Sequence, residues 1–186
     1  PPRGRDAARE RAGVLHRRVA EGRWRAAAGR ERNGPLATET VLQRAVEVVG
    51  GLLECFYVGL FQGDYEREEV VLVAQKCTGD IDIVAGATQK FQVGLIGYAF
   101  RLGETVHVRD VTKNETYVAR IPAIRSEICV PIRIGDRCLG ILDAQSQKLD
   151  GFSPDEVMFL ETVARFLAPV CQSMEVGATR TWSPMP

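Results

Sequence analysis

The chain of 186 residues contains no apolar run that approaches the roughly 20 residues a membrane-spanning helix needs. Its beginning is rich in arginine and lacks the apolar stretch of a secretory signal peptide. These two absences argue against a membrane protein and against a secreted one. We therefore expect a soluble, cytoplasmic protein with no membrane partner.

Residues with metal-site spacing are also scarce. The five cysteines are odd in number and contain no C-x-x-C pair, which predicts free thiols in a reducing compartment. Only His16 and His107 are present, far apart in the sequence. Because ligand clusters need more than one such residue, His107 is interpreted as a half-exposed strand residue rather than a metal or haem ligand.

The formal net charge is zero, but the charge is unevenly distributed. The first 35 residues hold ten arginines, no lysine and four acids, so this segment carries about +6 and the remainder about −6. The segment has no aromatic residue besides Trp24 to interleave with the arginines. We interpret residues 1–35 as a flexible or partly helical extension rather than a nucleic-acid-binding arm, and residues 174–186 as a disordered tail.

The centre of the chain reads as a β-hairpin. The β-rich runs Ile128–Ile134 and Arg137–Asp143 flank Gly135-Asp136, which fits an antiparallel hairpin with a type II′ turn. In such a hairpin Ile134 pairs with Arg137, and the numbers of opposite residues sum to 271.

Strict alternation from that pairing divides the hairpin into two unlike faces. The first face is apolar and is predicted to border the core: Ile128, Val130, Ile132, Ile134, Leu139 and Ile141, ending at Asp143. The second is mixed and suits the back of a cavity: Glu127, Cys129, Arg133, Cys138, Gly140, Leu142 and Ala144.

Two amphipathic helices are predicted at the ends of this region. Apolar residues recur at i, i+3, i+4 and i+7 between Thr38 and Cys55. Ser153-Pro154-Asp155-Glu156 has the form of a capping box and opens a second helix that reaches residue 173. Its apolar face is wide, which leaves two possibilities open: packing on the sheet alone, or a homodimer through helices 38–55 and 154–173.

Shorter elements are predicted between these landmarks. Leu95–Arg101 reads as a short helix and Thr116–Val118 as a helical turn. Runs of β-forming residues predict four strands: Phe56–Gln62, Glu68–Gln75, Ile81–Val84 and Thr105–Val108.

Three segments in order resemble the second half of GAF domains: VGLIGYAFRLGETVHVRDV, RSEICVPIRIGDRCLGILDAQS and GFSPDEVMFLETVARFLA. The resemblance covers residues 36–173. It implies an α+β fold of GAF/PAS-like type, with a six-stranded antiparallel sheet. The N- and C-terminal helices are expected on one face, and pocket-covering loops on the other.

The resemblance also implies a sensory or regulatory module that binds a small molecule and signals through helix-mediated dimerisation. The physical requirement is a ligand with unequal affinity for two helix arrangements. The resemblance specifies neither the ligand nor a cofactor. A covalently bound bilin is disfavoured, since residues 96–125 contain no cysteine.

Two alternatives stay open. Free methionine-R-sulfoxide reductases are GAF-fold enzymes, and Glu127 and Asp143 match two of their acids. Gln145 replaces a third acid, however, and Arg120 and Ile96 stand where that family has cysteines, so we expect no enzymatic activity. The other alternative is a GAF fold kept only for dimerisation, with its pocket filled by side chains.

The predicted ligand-binding residues come from the segments around the proposed cavity. Arg120 and Arg125 suit an anionic ligand, because guanidinium groups pair with carboxylate or phosphate through two hydrogen bonds. Asp110 could instead cap a turn. Arg125 could instead form an ion pair near Glu127. The full set is Tyr98, Asp110, Tyr117, Arg120, Arg125, Glu127 and Cys129.

Overall fold

The computed structural model of the protein describes residues 36–81, 83–121 and 123–175. The predicted extension over residues 1–35 lies outside the described residues, as do residues 176–186 of the predicted tail.

Six antiparallel strands form one sheet in the order β3-β2-β1-β6-β5-β4. The strands are β1 (Tyr57–Asp64), β2 (Glu69–Cys77), β3 (Thr88–Lys90), β4 (Val106–Val108), β5 (Ser126–Ile134) and β6 (Arg137–Ser146). The α-helices of the described region are α1 (Leu36–Leu52), α2 (Gly94–Leu102) and α3 (Pro154–Glu175). This architecture confirms the predicted α+β fold.

The face of the sheet toward α1 and α3 forms an apolar core. Ile128, Val130 and Ile132 of β5 are buried there, as the alternation predicted. They pack in one cluster with apolar side chains of the two helices, among them Leu42, Val46, Leu160, Ala164 and Leu167. Burial of such side chains contributes roughly 1.5–3 kcal/mol each, so this layer anchors both terminal helices.

The start of α3 has the predicted capping box. The Ser153 N–H and hydroxyl both donate to Glu156 Oε2 at 2.7 Å. In return the Glu156 N–H donates to Ser153 Oγ at 3.3 Å. These bonds satisfy backbone groups that the first helical turn leaves unpaired.

One short prediction was wrong and another was displaced. The third strand is Thr88–Lys90, which pairs with β2 from Glu69 to Val71, whereas Ile81, Ile83 and Val84 of the predicted strand lie in no strand. The turn predicted at Thr116–Val118 lies slightly earlier in the chain: the Tyr117 N–H donates to the Asn114 carbonyl at 3.3 Å, and the Asn114 side chain accepts from the Thr116 and Tyr117 N–H groups. A 3₁₀ turn lies nearby at Val111–Lys113.

All five cysteines lie in the described ranges and are free thiols, as predicted. No helix of the described residues combines the length and apolarity needed to cross a membrane.

The hairpin of β5 and β6 has the predicted turn but a shifted register. Gly135 has φ = 57° and Asp136 is not in the positive-φ region, in agreement with a type II′ turn. Ile134 faces Arg137 and Arg133 faces Cys138, as predicted; beyond that point Ile132 faces Gly140. Leu139 is therefore an extra residue, a β-bulge in β6.

The bulge reverses the orientation of the rest of β6. Ile141 packs with Cys129 on the cavity side, while Leu142 and Ala144 pack on the side of α1 and α3. The prediction that Ile141 and Asp143 face the helices was therefore wrong, because strict alternation fails at a bulge. Ile134, also predicted to face the core, is 38% exposed at the end of the hairpin.

Gly140 permits this close packing beside the bulge. A Cβ on Gly140 would lie 2.2 Å from the carbonyl oxygen of Phe61 in the neighbouring strand. Since that contact is with backbone, side-chain rotation cannot relieve it. Gly140→Ala is expected to destabilise the protein by about 1–3 kcal/mol, the usual range for overpacking, as measured by urea unfolding.

Gly135→Asn is the matched control, since nothing lies within 4 Å of a Cβ built there and Asn tolerates positive φ. Equal stability of the Gly140→Ala variant and the parent chain would contradict the described contact between β6 and β1.

Candidate functional site

A small cavity lies between the sheet and α2. Its volume is about 20 Å³, which exceeds the roughly 10–15 Å³ that one water molecule requires. Its lining comes from β1, β3, α2, β5, β6 and two loops: Tyr57, Phe61, Ile83, Gln89, Gly94, Leu95, Ile96, Val118, Arg120, Glu127, Asp143 and Gln145. In this conformation the cavity has room for water but not for a metabolite.

Two carboxyl groups that line the cavity meet a buried thiol on the same side of the sheet. Cys129 Sγ lies 3.3 Å from Glu127 Oε1 and 3.5 Å from Asp143 Oδ1. Gln145 Nε2 donates to the other Asp143 oxygen at 2.8 Å. Glu127, Cys129 and Asp143 are exposed by only 3%, 0% and 0%. We call these three residues the acid–thiol cluster.

Burial disfavours ionisation throughout the acid–thiol cluster. It raises the pKa of Asp143 to about 7, although hydrogen bonds from Gln145 and Cys129 favour its ionised form. The pKa of Glu127 is raised well above its ordinary value by burial and then by the charge of Asp143. Both shifts favour the protonated forms, so the two carboxyls keep their protons to a higher pH than exposed carboxyls do.

The thiol of Cys129 is not activated. Its pKa is raised well above the ordinary value, first by burial and then by the charges of Glu127 and Asp143. Because the thiolate is the nucleophilic form, this thiol is a hydrogen-bond donor to the two carboxyls and a poor nucleophile.

Two more of the predicted residues lie at the cavity. Arg120 lines the cavity, and burial lowers the pKa of its guanidinium. Tyr117 packs beside the cavity, where burial and then the charge of Glu127 raise the pKa of its hydroxyl. The structure thus brings together Tyr117, Arg120, Glu127 and Cys129 of the predicted set.

The other three predicted residues lie away from the cavity. Asp110 caps the 3₁₀ turn by accepting from the Thr112 N–H at 3.2 Å, and a second bond from the Thr112 hydroxyl at 2.6 Å is the main cause of its lowered pKa. Arg125 pairs with Asp110, with 3.8 Å between Nη2 and Oδ1, rather than near Glu127. Tyr98 is 40% exposed, and the Arg101 guanidinium lies 6.0 Å from its ring centre.

His107 also faces away from the cavity. Its ring contacts Phe152 with 6.0 Å between ring centres, whereas the flanking residues Val106 and Val108 pack on the cavity side. This orientation agrees with a half-exposed strand residue.

Tyr57 is a site residue that sequence reasoning missed. Its hydroxyl is buried and has no hydrogen-bond partner among the described residues. It lies over Gly59, where a Cβ would come within 2.6 Å of it, and Gly59 pairs with Asp143 across the sheet. The sequence carried one signal of this arrangement, a glycine two residues after an aromatic one in a strand.

Comparison with known proteins identifies the family of this chain. A sequence model of the GAF domain matches residues 37–170. The chain belongs to the GAF domain family. GAF domain-containing protein A of Dictyostelium discoideum is 29% identical over 112 residues, which are 60% of this chain and 67% of that protein.

Solved structures with the same fold include free methionine-R-sulfoxide reductases and GAF domains of larger proteins. A substrate-bound free methionine-R-sulfoxide reductase from Neisseria meningitidis is 26% identical, with a TM-score of 0.66 over 94% of this chain and 95% of its own. The GAF domain of a phosphoenolpyruvate-protein phosphotransferase from Acinetobacter has a TM-score of 0.68 over 89% and 96% of the two chains. At 20% identity, this second likeness establishes the fold alone.

The state of the Cys129 thiol can be measured by alkylation of the native protein. Cys77 is half-buried and the other four cysteines are buried, so iodoacetamide is expected to modify Cys77 first. Cys129 should react only after unfolding, because burial protects it and holds it protonated. Peptide mass spectrometry with and without urea gives the reactivity of each site.

A Cys77→Ser variant is the control, since it removes the reactive thiol and leaves the acid–thiol cluster unchanged. Native Cys129 that is alkylated as fast as Cys77 would contradict this description. That outcome would favour the reductase alternative.

Proposed function

We propose that this chain is a regulatory GAF module that binds a small molecule in the cavity between the sheet and α2. The observation that carries the proposal is the concentration of buried polar groups there. Glu127, Asp143, Gln89 and Gln145 are all at least nine-tenths buried, and all four line this cavity. Polar groups are costly to bury, and clusters with perturbed pKa values occur preferentially at functional sites.

The chemistry of the lining favours a ligand with two unlike ends. The sheet presents carboxyl oxygens of Glu127 and Asp143, which suit an ammonium or other hydrogen-bond donor. Arg120 presents a guanidinium, which suits a carboxylate or phosphate. An amino-acid-like zwitterion has both features.

Entry of such a ligand requires the cavity to open. Ligand pockets usually enclose several hundred Å³, compared with about 20 Å³ here. The segment that includes Val118 and Arg120 covers the cavity together with α2, and we infer that it moves outward. A ligand that binds only the open form shifts the equilibrium between the two forms.

Strand β5 connects the cavity to the terminal helices. Glu127 and Cys129 lie on the cavity side of this strand. The alternating residues Ile128, Val130 and Ile132 pack against α1 and α3. Because the core is close-packed, displacement of this strand changes the packing of the helices. This alternation supports a route from ligand to helix arrangement.

We infer that the module forms a homodimer through α1 and α3. These helices expose several large apolar side chains, and contiguous exposed apolar surface is typical of interfaces. The exposed fractions are Val41 47%, Val48 57%, Leu52 65%, Met158 60% and Phe166 78%.

Binding is favoured over catalysis for this site. Glu127 and Asp143 match acids of the reductase family, but Arg120 and Ile96 stand at the positions of its cysteines. The dimerisation-only alternative agrees with the small cavity volume. It leaves unexplained why two carboxyl groups are buried where apolar side chains would pack without penalty.

Retention of a ligand can be tested with a variant that fills the cavity. Val118 lines the cavity, so Val118→Trp is expected to block binding while keeping both carboxyls. Mass spectrometry of denatured protein should detect a small molecule in the parent chain but not in this variant. Compounds of the zwitterionic class should raise the melting temperature of the parent, since a ligand at 100 times Kd stabilises by about 2.7 kcal/mol.

Val84→Trp is the matched control, because Val84 is 57% exposed and does not line the cavity. If no molecule is retained and the parent chain shows no thermal shift, the dimerisation-only alternative is favoured.

The proposed dimer can be tested by sedimentation velocity. Phe166→Glu places a charge at the most exposed of these apolar side chains, so we expect a monomer of 20.5 kDa, compared with a dimer of the parent chain. Gln172→Glu adds the same charge at another exposed position of α3 and should remain dimeric. A monomeric parent chain at micromolar concentration would contradict this inference.

A further inference from the structure

The acid–thiol cluster has donor atoms of three kinds of side chain within a small volume. One carboxylate oxygen each from Glu127 and Asp143 and the sulfur of Cys129 all lie within 4.8 Å of one another. All three side chains are at least 97% buried. The β5–β6 ladder brings them together, since Cys129 pairs directly with Asp143 and Glu127 lies two residues before Cys129 on the same side of β5.

The two sulfur-to-oxygen distances match edges of a metal coordination tetrahedron. Zinc binds sulfur at about 2.3 Å and carboxylate oxygen at roughly 2.0–2.2 Å in tetrahedral geometry. Two such ligands are then about 3.5 Å apart. The Cys129 sulfur lies 3.3 Å and 3.5 Å from the two carboxylate oxygens.

A second observation, independent of the cluster, points to a ligand at this position. The Tyr57 hydroxyl is buried and has no partner among the described residues. It stands above Gly59, the residue opposite Asp143, and Tyr57 and Asp143 line the same cavity. An unpaired buried hydroxyl is unfavourable, and a water or an ion bound in the cavity would offset this cost.

We propose that Glu127, Cys129 and Asp143 bind a divalent first-row transition metal of the Zn²⁺ class, with a water beside Tyr57 in the fourth position. A thiolate with two carboxylates selects a borderline-soft ion such as Zn²⁺ rather than Mg²⁺ or Ca²⁺, which prefer oxygen ligands only. Binding releases the thiol proton and any carboxyl proton to solvent. This proposal rests on the proposed function only in that both place a ligand in the same cavity.

The surroundings of the cluster fit a bound cation. Three ionised ligands and a divalent ion leave one negative charge, and the Arg120 guanidinium lines the same cavity. Gln145 Nε2 donates to the second oxygen of Asp143 at 2.8 Å. Such outer bonds orient a ligating carboxylate, and their loss typically lowers metal affinity 10–100-fold.

Cys138 is a second buried thiol of the same hairpin, and it has no acidic neighbours. Its Sγ donates to the Gly140 carbonyl at 3.3 Å, and it lies in the same cavity-side apolar cluster as Cys129. Cys138→Ala is therefore a matched control for Cys129→Ala, since both remove a buried thiol from the same hairpin.

The experiment uses the full chain freed of metal with EDTA and then titrated with Zn²⁺ or with Co²⁺ as a spectroscopic probe. We expect one ion per chain at the cluster, with a sulfur-to-Co²⁺ charge-transfer band and visible bands of tetrahedral intensity. Cys129→Ala should abolish the charge-transfer band, and Cys138→Ala should leave it unchanged. Gln145→Leu should keep the band and weaken Zn²⁺ binding about 10–100-fold.

Cys129→Ser and circular dichroism of each variant separate loss of binding from loss of folding. Absence of the band in the folded parent chain, or the same band in folded Cys129→Ala, would overturn the metal proposal. Thermal shifts by organic compounds in EDTA are measured in parallel. If those shifts persist without metal binding, this inference fails and the proposed function stands.

Discussion

The β-bulge at Leu139 is the constraint on which the site depends. Without the extra residue, Asp143 would face α1 and α3 and would be buried in an apolar core. With it, Asp143 lies beside Glu127 and opposite Cys129, so that two acids and a thiol share one cavity. Gly140 makes the bulge possible, because only a residue without a side chain fits against the Phe61 carbonyl.

The two faces of the sheet perform different physical tasks. The face toward α1 and α3 is apolar, and its burial stabilises the fold. The cavity face keeps polar groups buried that contribute little to stability. Since β5 supplies side chains to both faces, we propose that a change of contents on the cavity side alters the packing of the helices. A regulatory GAF module needs this coupling, and the described geometry provides a route for it.

Most of the fold could be predicted from sequence because its signals are local. The capping box at Ser153 and Glu156 and the Gly135 turn depend on neighbouring residues only. The face of Asp143 depends instead on one inserted residue in a paired strand, which alternation cannot reveal. Thr88–Lys90 was missed because its sequence is polar, and its pairing comes from the neighbouring β2. The partner of Arg125 was similarly hidden, since Asp110 and Arg125 meet only in the folded chain.

The central claim is that Asp143 and Cys129 interact inside one cavity. A double-mutant cycle tests it most directly, with unfolding free energies of Cys129→Ala, Asp143→Asn and the double variant. Residues in contact show coupling of about 0.5–3 kcal/mol, whereas separated residues are additive within about 0.5 kcal/mol. The described geometry predicts coupling in the first range for this pair. Additive effects would mean that Asp143 faces the helices and that the acid–thiol cluster does not exist.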